Sequence, residues 1–107
     1  MLFRSKDNIE KNHETENIAI FQSDLLKNMN GKADFIIANI IADIIIRMFE
    51  NVDNYLNEHG AILTSGIIAD RIVDVTKAAE SHGFAVEKMN EKAGWAAIIF
   101  RRKEDLQ

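Results

Sequence analysis

A chain of 107 residues with 47% hydrophobic and 28% charged residues has the composition of one small globular domain, not of a disordered segment. Lys and Arg number 13 against 17 Asp and Glu, a net charge of −4 with no dense basic patch, which argues against tight binding to naked nucleic acid. No cysteine is present, which excludes a disulfide framework and a thiolate metal site, and His13, His59 and His82 stand at no metal-ligand spacing.

In chain order, Met1–Ser5 lack the apolar stretch of a secretory signal, so a soluble cytoplasmic protein is expected. Residues 7–15 read as the end of a helix, polar on nearly every face except Ile9. Asn17 to Gln22 form a short β-branched run suited to a buried strand, closed by Ser23 and Asp24. A turn cluster covers 28–32. The next run, Ala33 to Asn39, is apolar in its centre, as in a parallel strand covered on both faces. The longer apolar stretch that contains it, 35–46, is interrupted by Asn39 and Asp43 and is too short to span a membrane.

The period then changes. Ile41, Ile44, Ile45, Met48, Val52, Tyr55 and Leu56 fall at three- and four-residue steps and predict one long helix stopped by Gly60. Ala61 to Ser65 predict a strand and Gly66 a bend. Ile68, Ile72, Val75 and Ala79 mark the core side of a second helix ended by Gly83. Phe84 to Lys88 and Trp95 to Phe100 predict two strands joined by a turn over 90–94, hence an antiparallel hairpin. Strands alternating with crossover helices predict an α/β fold with a mostly parallel sheet.

Ligands of open parallel sheets bind beyond the carboxyl ends of the strands. That rule selects Ser23-Asp24, Asn39 to Ala42, and Ser65-Gly66-Ile67 as the rim of a site. Local readings compete with it. Asp24 suits a cap of the turn into Leu25-Leu26, Asn39 suits the N-cap of the long helix, and Trp95 suits a half-buried packing position. Arg101-Arg102-Lys103 reads as the solvated end of the last strand. No catalytic triad, phosphate-cradling glycine loop or metal motif is present.

The segment Ala33-Asp34-Phe35-Ile36-Ile37-Ala38-Asn39-Ile40-Ile41-Ala42 resembles the "FD-hydrophobic-ANILA" stretch of ribosomal protein methyltransferases of the PrmA type. Leu63-Thr64-Ser65-Gly66-Ile67 is similar to that family's "LSGI" segment, and Ser23-Asp24-Leu25-Leu26 to its "GDLL" element. His82-Gly83-Phe84 and Gly94-Trp95-Ala96-Ala97-Ile98 resemble its "AGF" and "GEWVAL" pieces. The pieces occur in the family's order from about residue 8 to residue 102.

The resemblance implies a three-layer Rossmann-like methyltransferase fragment that uses S-adenosylmethionine to methylate amino groups of a ribosomal protein. It implies that Asn39 closes the fourth strand and faces both the methyl group and the acceptor amine. Asp24, Asn39 and Ile40 would then be on the cofactor side, and Ala42, Ser65, Gly66 and Trp95 on the substrate side. It implies no metal.

The departures define a second set of expectations. The five glycines, Gly31, Gly60, Gly66, Gly83 and Gly94, form no G-x-G cluster, so the family's first two strands and their cofactor-gripping turn have no counterpart. Residues 1–107 are therefore read as a single partial methyltransferase domain, with 1–6 a disordered or non-native start, inactive alone. In the family's topology the fourth strand pairs with the missing first strand, so the edge at 34–38 is expected to lie open and to pair into a homodimer or with another chain. The alternative is a non-catalytic binding or assembly module that keeps the methyltransferase-like fold.

Overall fold

The computed structural model describes residues 18–21 and 32–106. The helix expected over 7–15, the start at 1–6, the Ser23-Asp24 strand end and most of the turn at 28–32 lie outside the described residues. The described elements are β1 (Ile18–Phe21), β2 (Ala33–Asn39), α1 (Ala42–Met48), β3 (Leu56–Ile68), α2 (Ile72–Ser81), β4 (Phe84–Lys92) and β5 (Trp95–Arg102). Short 3-10 turns cover Val52–Tyr55, Ala69–Arg71 and Lys103–Leu106.

The strands form one sheet in the order β1-β2-β3-β5-β4. β1, β2 and β3 are mutually parallel, and β5 runs antiparallel to both β3 and β4. Only β5 therefore opposes the common direction, and the sheet is mixed through the expected terminal hairpin. That hairpin turns on Ala93 (φ 54°) and Gly94 (φ 83°). Two successive left-handed residues form a two-residue turn whose twist suits the flanking strands, so pairing continues out to Lys92 and Trp95.

One face of the sheet carries the core. Ile36, Ile62 and Phe100 are aligned across three strands by the register, as are Ala38, Thr64 and Ile98. All six are buried and meet Ala42, Ile45 and Met48 of α1 and Val75 and Ala79 of α2. Phe49 packs edge-on to Phe100 at 5.1 Å and tilted against Phe84 at 5.6 Å. Among the described residues both helices lie on this face. The opposite face carries a row aligned across four strands: Ile20, Ile37, Leu63 and Ile99. Ile20 and Leu63 remain 45% and 39% exposed.

Four expectations need correction. The first helix ends at Met48, not near Leu56. Beyond it Asn51, Asp53 and Asn54 have side chains that compete for backbone hydrogen bonds, and the chain closes tighter turns (Glu50 N–H to Arg47 O, Asn54 N–H to Asn51 O). Leu56 then opens β3, which is thirteen residues long and bulged: between the pairs Ala33–Leu56 and Phe35–Ala61, β3 advances five residues while β2 advances two. Gly60 lies inside that bulge and caps no helix. The left-handed residue there is His59 (φ 66°), and a Cβ on Gly60 would fall 2.6 Å from Leu56 Cδ1. Gly83 (φ 89°) does stop α2 as expected, with its N–H on Glu80 O.

The third correction concerns the edge at 34–38. It is not open, because β1 pairs along β2 from Ile18–Phe35 to Phe21–Ala38. The short apolar β1 thus occupies that edge over Phe35–Ala38. The fourth concerns Arg101 and Arg102, which are not a solvated strand end. Arg101 donates to Glu87 at 2.7 Å and to the His59 carbonyl at 3.1 Å. The Arg102 side chain is 16% exposed; it donates to Asp53 and to the carbonyls of Leu56 and Asn57, and sits over the Phe84 ring.

Candidate functional site at the carboxyl rim of the sheet

β2 ends at Asn39, and its last register pair with the parallel β3, which runs on to Ile68, is Asn39 with Ser65. Neither is there by chance of looping: both terminate apolar runs whose centres, Ile36 and Ile62, are locked in the core. Asn39 is exposed and Ser65 half-buried, so an amide with one acceptor and two donors stands next to a hydroxyl. Asn39 does not cap α1. Ile41 occupies that position in extended conformation (ψ 155°), without a side-chain capping bond. Ile40 is partly buried against the core.

Ser65-Gly66 is a β-bulge and not a loop leading into a helix. Between Thr64–Ile98 and Ile67–Ala96, β3 advances three residues while β5 advances two. Gly66 has φ +76°, and a Cβ placed on it would stand 2.6 Å from Asn39 Oδ1. Glycine is needed here twice, for the left-handed backbone and for the close approach of the Asn39 amide. After the bulge Ile67 returns to the core, while Ile68, expected in the core, is 46% exposed. Its register partner is Trp95, 55% exposed and so no half-buried packing residue. The Ala69 N–H to Gly94 O bond (2.9 Å) holds that third corner.

The structure thus brings Asn39, Ser65 and Gly66 into contact and sets Trp95 three strand positions further along the same rim. Ala42 is not a surface wall: it is 5% exposed and belongs to the core under α1. Asp24 lies outside the described residues. Arg71 was not anticipated. It donates through Nη2 to Asp43 Oδ1 (2.6 Å) and through Nε to Asp74 Oδ2 (2.9 Å), tying the first turns of α1 and α2 beside the rim. The bonds to Asp43 and then Asp74 raise the guanidinium pKa above its ordinary value. The three-residue spacing of Arg71 and Asp74 was legible as a helical pair. The reach to Asp43, 28 positions away, was not.

A cleft of about 620 Å³ lies at the opposite, amino end of the sheet, lined by Lys32, Glu58, His59, His82 and Asp105 among others. There the His59 imidazole meets Asp105 at 2.7 Å; this hydrogen bond and the carboxylate charge raise the His59 pKa above 6.5. Parallel α/β sheets place ligand chemistry at the carboxyl ends, so the polar rim carries the functional reading. Among the described residues no group of three His, Cys, Asp or Glu could hold a metal, and no helix is long and apolar enough to cross a membrane.

A mixed sheet with only its last strand reversed, and an Asn that ends one parallel strand beside a Ser-Gly bulge in the next, defines part of a Rossmann-like methyltransferase fold. The structure is similar to a methyltransferase from Pyrococcus furiosus with TM-score 0.61 at 16% identity, covering 92% of this chain and 55% of that one. It is closer to the ribosomal protein L11 methylase of Lactobacillus delbrueckii subsp. bulgaricus, with TM-score 0.71 and 30% identity over 74% of this chain and 41% of that chain. The family model for ribosomal protein L11 methyltransferase (PrmA) matches residues 2–103, and the chain belongs to that family. The L11 methyltransferase of Caldanaerobacter subterraneus subsp. tengcongensis is 48% identical over 99 residues, and that of Streptococcus equi subsp. zooepidemicus (strain H70) 37% over 102. These matches take in 92% and 95% of this chain but 31% and 32% of the relatives. The chain spans about a third of the length of the curated relatives it matches.

Proposed function

We propose that this chain is the C-terminal, acceptor-side part of an S-adenosylmethionine-dependent methyltransferase that acts on amino groups of a ribosomal protein, and that it is inactive alone. The observation that carries the reading is the contact of Asn39, at the end of β2, with the Ser65-Gly66 bulge of the adjacent parallel strand β3. The Asn39 amide oxygen accepts a hydrogen bond from an amine and orients its lone pair. Ser65 supplies a second polar contact, and the exposed Ile68 and Trp95 offer an apolar surface for the aliphatic stem of an amine-bearing side chain.

This arrangement suits methyl transfer, in which alignment of an uncharged amine matters more than a strong base. The residues do not fit the cofactor by themselves. The sequence has no glycine-rich turn for it, and the described rim offers only Asn39 and Ile40 on that side. No step through S-adenosylmethionine is therefore assigned to this chain alone. The apolar row Ile20, Ile37, Leu63 and Ile99 is consistent with a further layer of polypeptide on that face.

The test is methyl transfer to ribosomal protein L11 from labelled S-adenosylmethionine, with and without a polypeptide carrying the remaining two thirds of a relative. The expected result is no cofactor binding and no transfer by the chain alone, transfer in the mixture, and loss of transfer with Asn39→Ala. A mixture that stays inactive, or an Asn39→Ala variant as active as the parent, overturns the reading. One observation favours the alternative of a self-contained, non-catalytic module: β1 closes the edge of β2 that a further strand would need. A chain that refuses complementation while folding stably alone would support that alternative.

A further inference from the structure

We infer that Arg71 is a positioning residue that locks the segments carrying Asn39 and Ser65 into one rigid rim. The inference rests on the reading of that rim as the acceptor side of a methyl-transfer site. Two stretches run on from Asn39 and Ser65. One runs from Asn39 to Asp43 in the first turn of α1, the other from Ser65 to Arg71 just before α2. At the strand end they are joined by the Asn39–Ser65 register pair. At the far end they are joined by the guanidinium, with Nη2 on Asp43 Oδ1 at 2.6 Å and Nε on Asp74 Oδ2 at 2.9 Å. The two connections close a ring around the place where the Asn39 amide lies on Gly66.

The chemistry requires arginine. A planar fork can address two carboxylates from different edges at fixed angles, whereas a lysine ammonium is a point charge on a flexible stem. Asp43 and Asp74 each lie in the first turn of a helix, where a carboxylate suits the helix dipole. Brought together without Arg71 they would repel. All three side chains are substantially exposed, at 34%, 64% and 56%, so the clamp adds little to global stability. Its consequence is local order at the rim.

Amide hydrogen exchange in Arg71→Ala tests this, read at Ile44 and Ile45, whose N–H groups bond Ile41 O, and at Ala69, whose N–H bonds Gly94 O. Exchange is expected to quicken roughly two- to fivefold at these sites, the range of an exposed ion pair. The Asn39 side-chain amide resonances are expected to move with it. Arg71→Lys, retaining a charge without the fork, should fall between. Arg101→Ala, which removes an exposed pair with Glu87 elsewhere on the sheet, should leave these sites unchanged. Wild-type exchange and an unmoved Asn39 signal in Arg71→Ala, or the same changes in Arg101→Ala, overturn the inference. In the complemented transfer assay Arg71→Ala should lower kcat about tenfold, as misalignment does, with KM for the protein substrate unchanged. If no transfer occurs at all, the methyltransferase reading falls while the exchange measurements still decide the clamp.

Discussion

Gly66→Ala separates what the rim needs for folding from what it needs for alignment. At φ +76° an L residue carries a left-handed backbone cost of about 1–2 kcal/mol. The added Cβ would also meet Asn39 Oδ1 at 2.6 Å, well inside contact distance, while Ile40 O at 3.7 Å is at ordinary separation. The obstructing atom is the far end of an exposed side chain, so Asn39 can swing to another staggered position for under about 1 kcal/mol. The substitution should therefore destabilise the fold by about 1–2 kcal/mol in urea melts, nearly all of it from the backbone, and still displace the Asn39 amide. Asn39→Ala alone should change stability by less than about 0.5 kcal/mol, as an exposed substitution does. Gly66→Ala in the Asn39→Ala background should cost almost as much as in the parent, because only the small steric part is relieved. Side-chain amide resonances of Asn39 report the displacement directly. A Gly66→Ala protein as stable as the parent would refute the backbone reading, and an Asn39 signal that does not move would refute the contact.

The remaining predictions concern the core and the amino end of the sheet. Phe49→Ala removes a fully buried ring packed on Phe84 and Phe100 and should cost about 3–5 kcal/mol, enough to leave much of the population unfolded by circular dichroism. Arg102→Met strips the donors from Asp53 and from the Leu56 and Asn57 carbonyls, and should cost about 1–3 kcal/mol by chemical denaturation. The His59–Asp105 pair gives a pH dependence of definite sign. The folded pKa of His59 is raised, so the pair's contribution is fully present below about pH 6.5 and is lost as pH rises through the higher folded value. Proton NMR titration should place the His59 midpoint above 6.5, and Asp105→Asn should bring it back down; a midpoint indifferent to that change would disprove the coupling.

Reading by period found the elements in the right order because each needs only its own residues. The buried centres of β2 and β3, the Gly83 stop and the terminal hairpin all follow from local composition. Asn39 and Ser65 were legible for the same reason, as polar residues closing apolar runs; that β3 continues past Ser65 to Ile68 was not. The reading failed where a run was apolar in both periods. Val52 and Leu56 fit a helical stripe, but they are buried as a 3-10 turn and as the start of a bulged strand. The resemblance sets Ala42 on the substrate side, yet its face of α1 turns inward.

Sequence alone therefore determined the family, the succession of strands and helices, and the polar residues at the strand ends, all of which are properties of short stretches. Tertiary structure decided which partner closes β2, where β3 bulges to seat Gly66 against Asn39, and that Arg71 reaches Asp43. Those outcomes turn on contacts between residues up to tens of positions apart. Their free energies depend on edges and charges meeting in space, which no local period records.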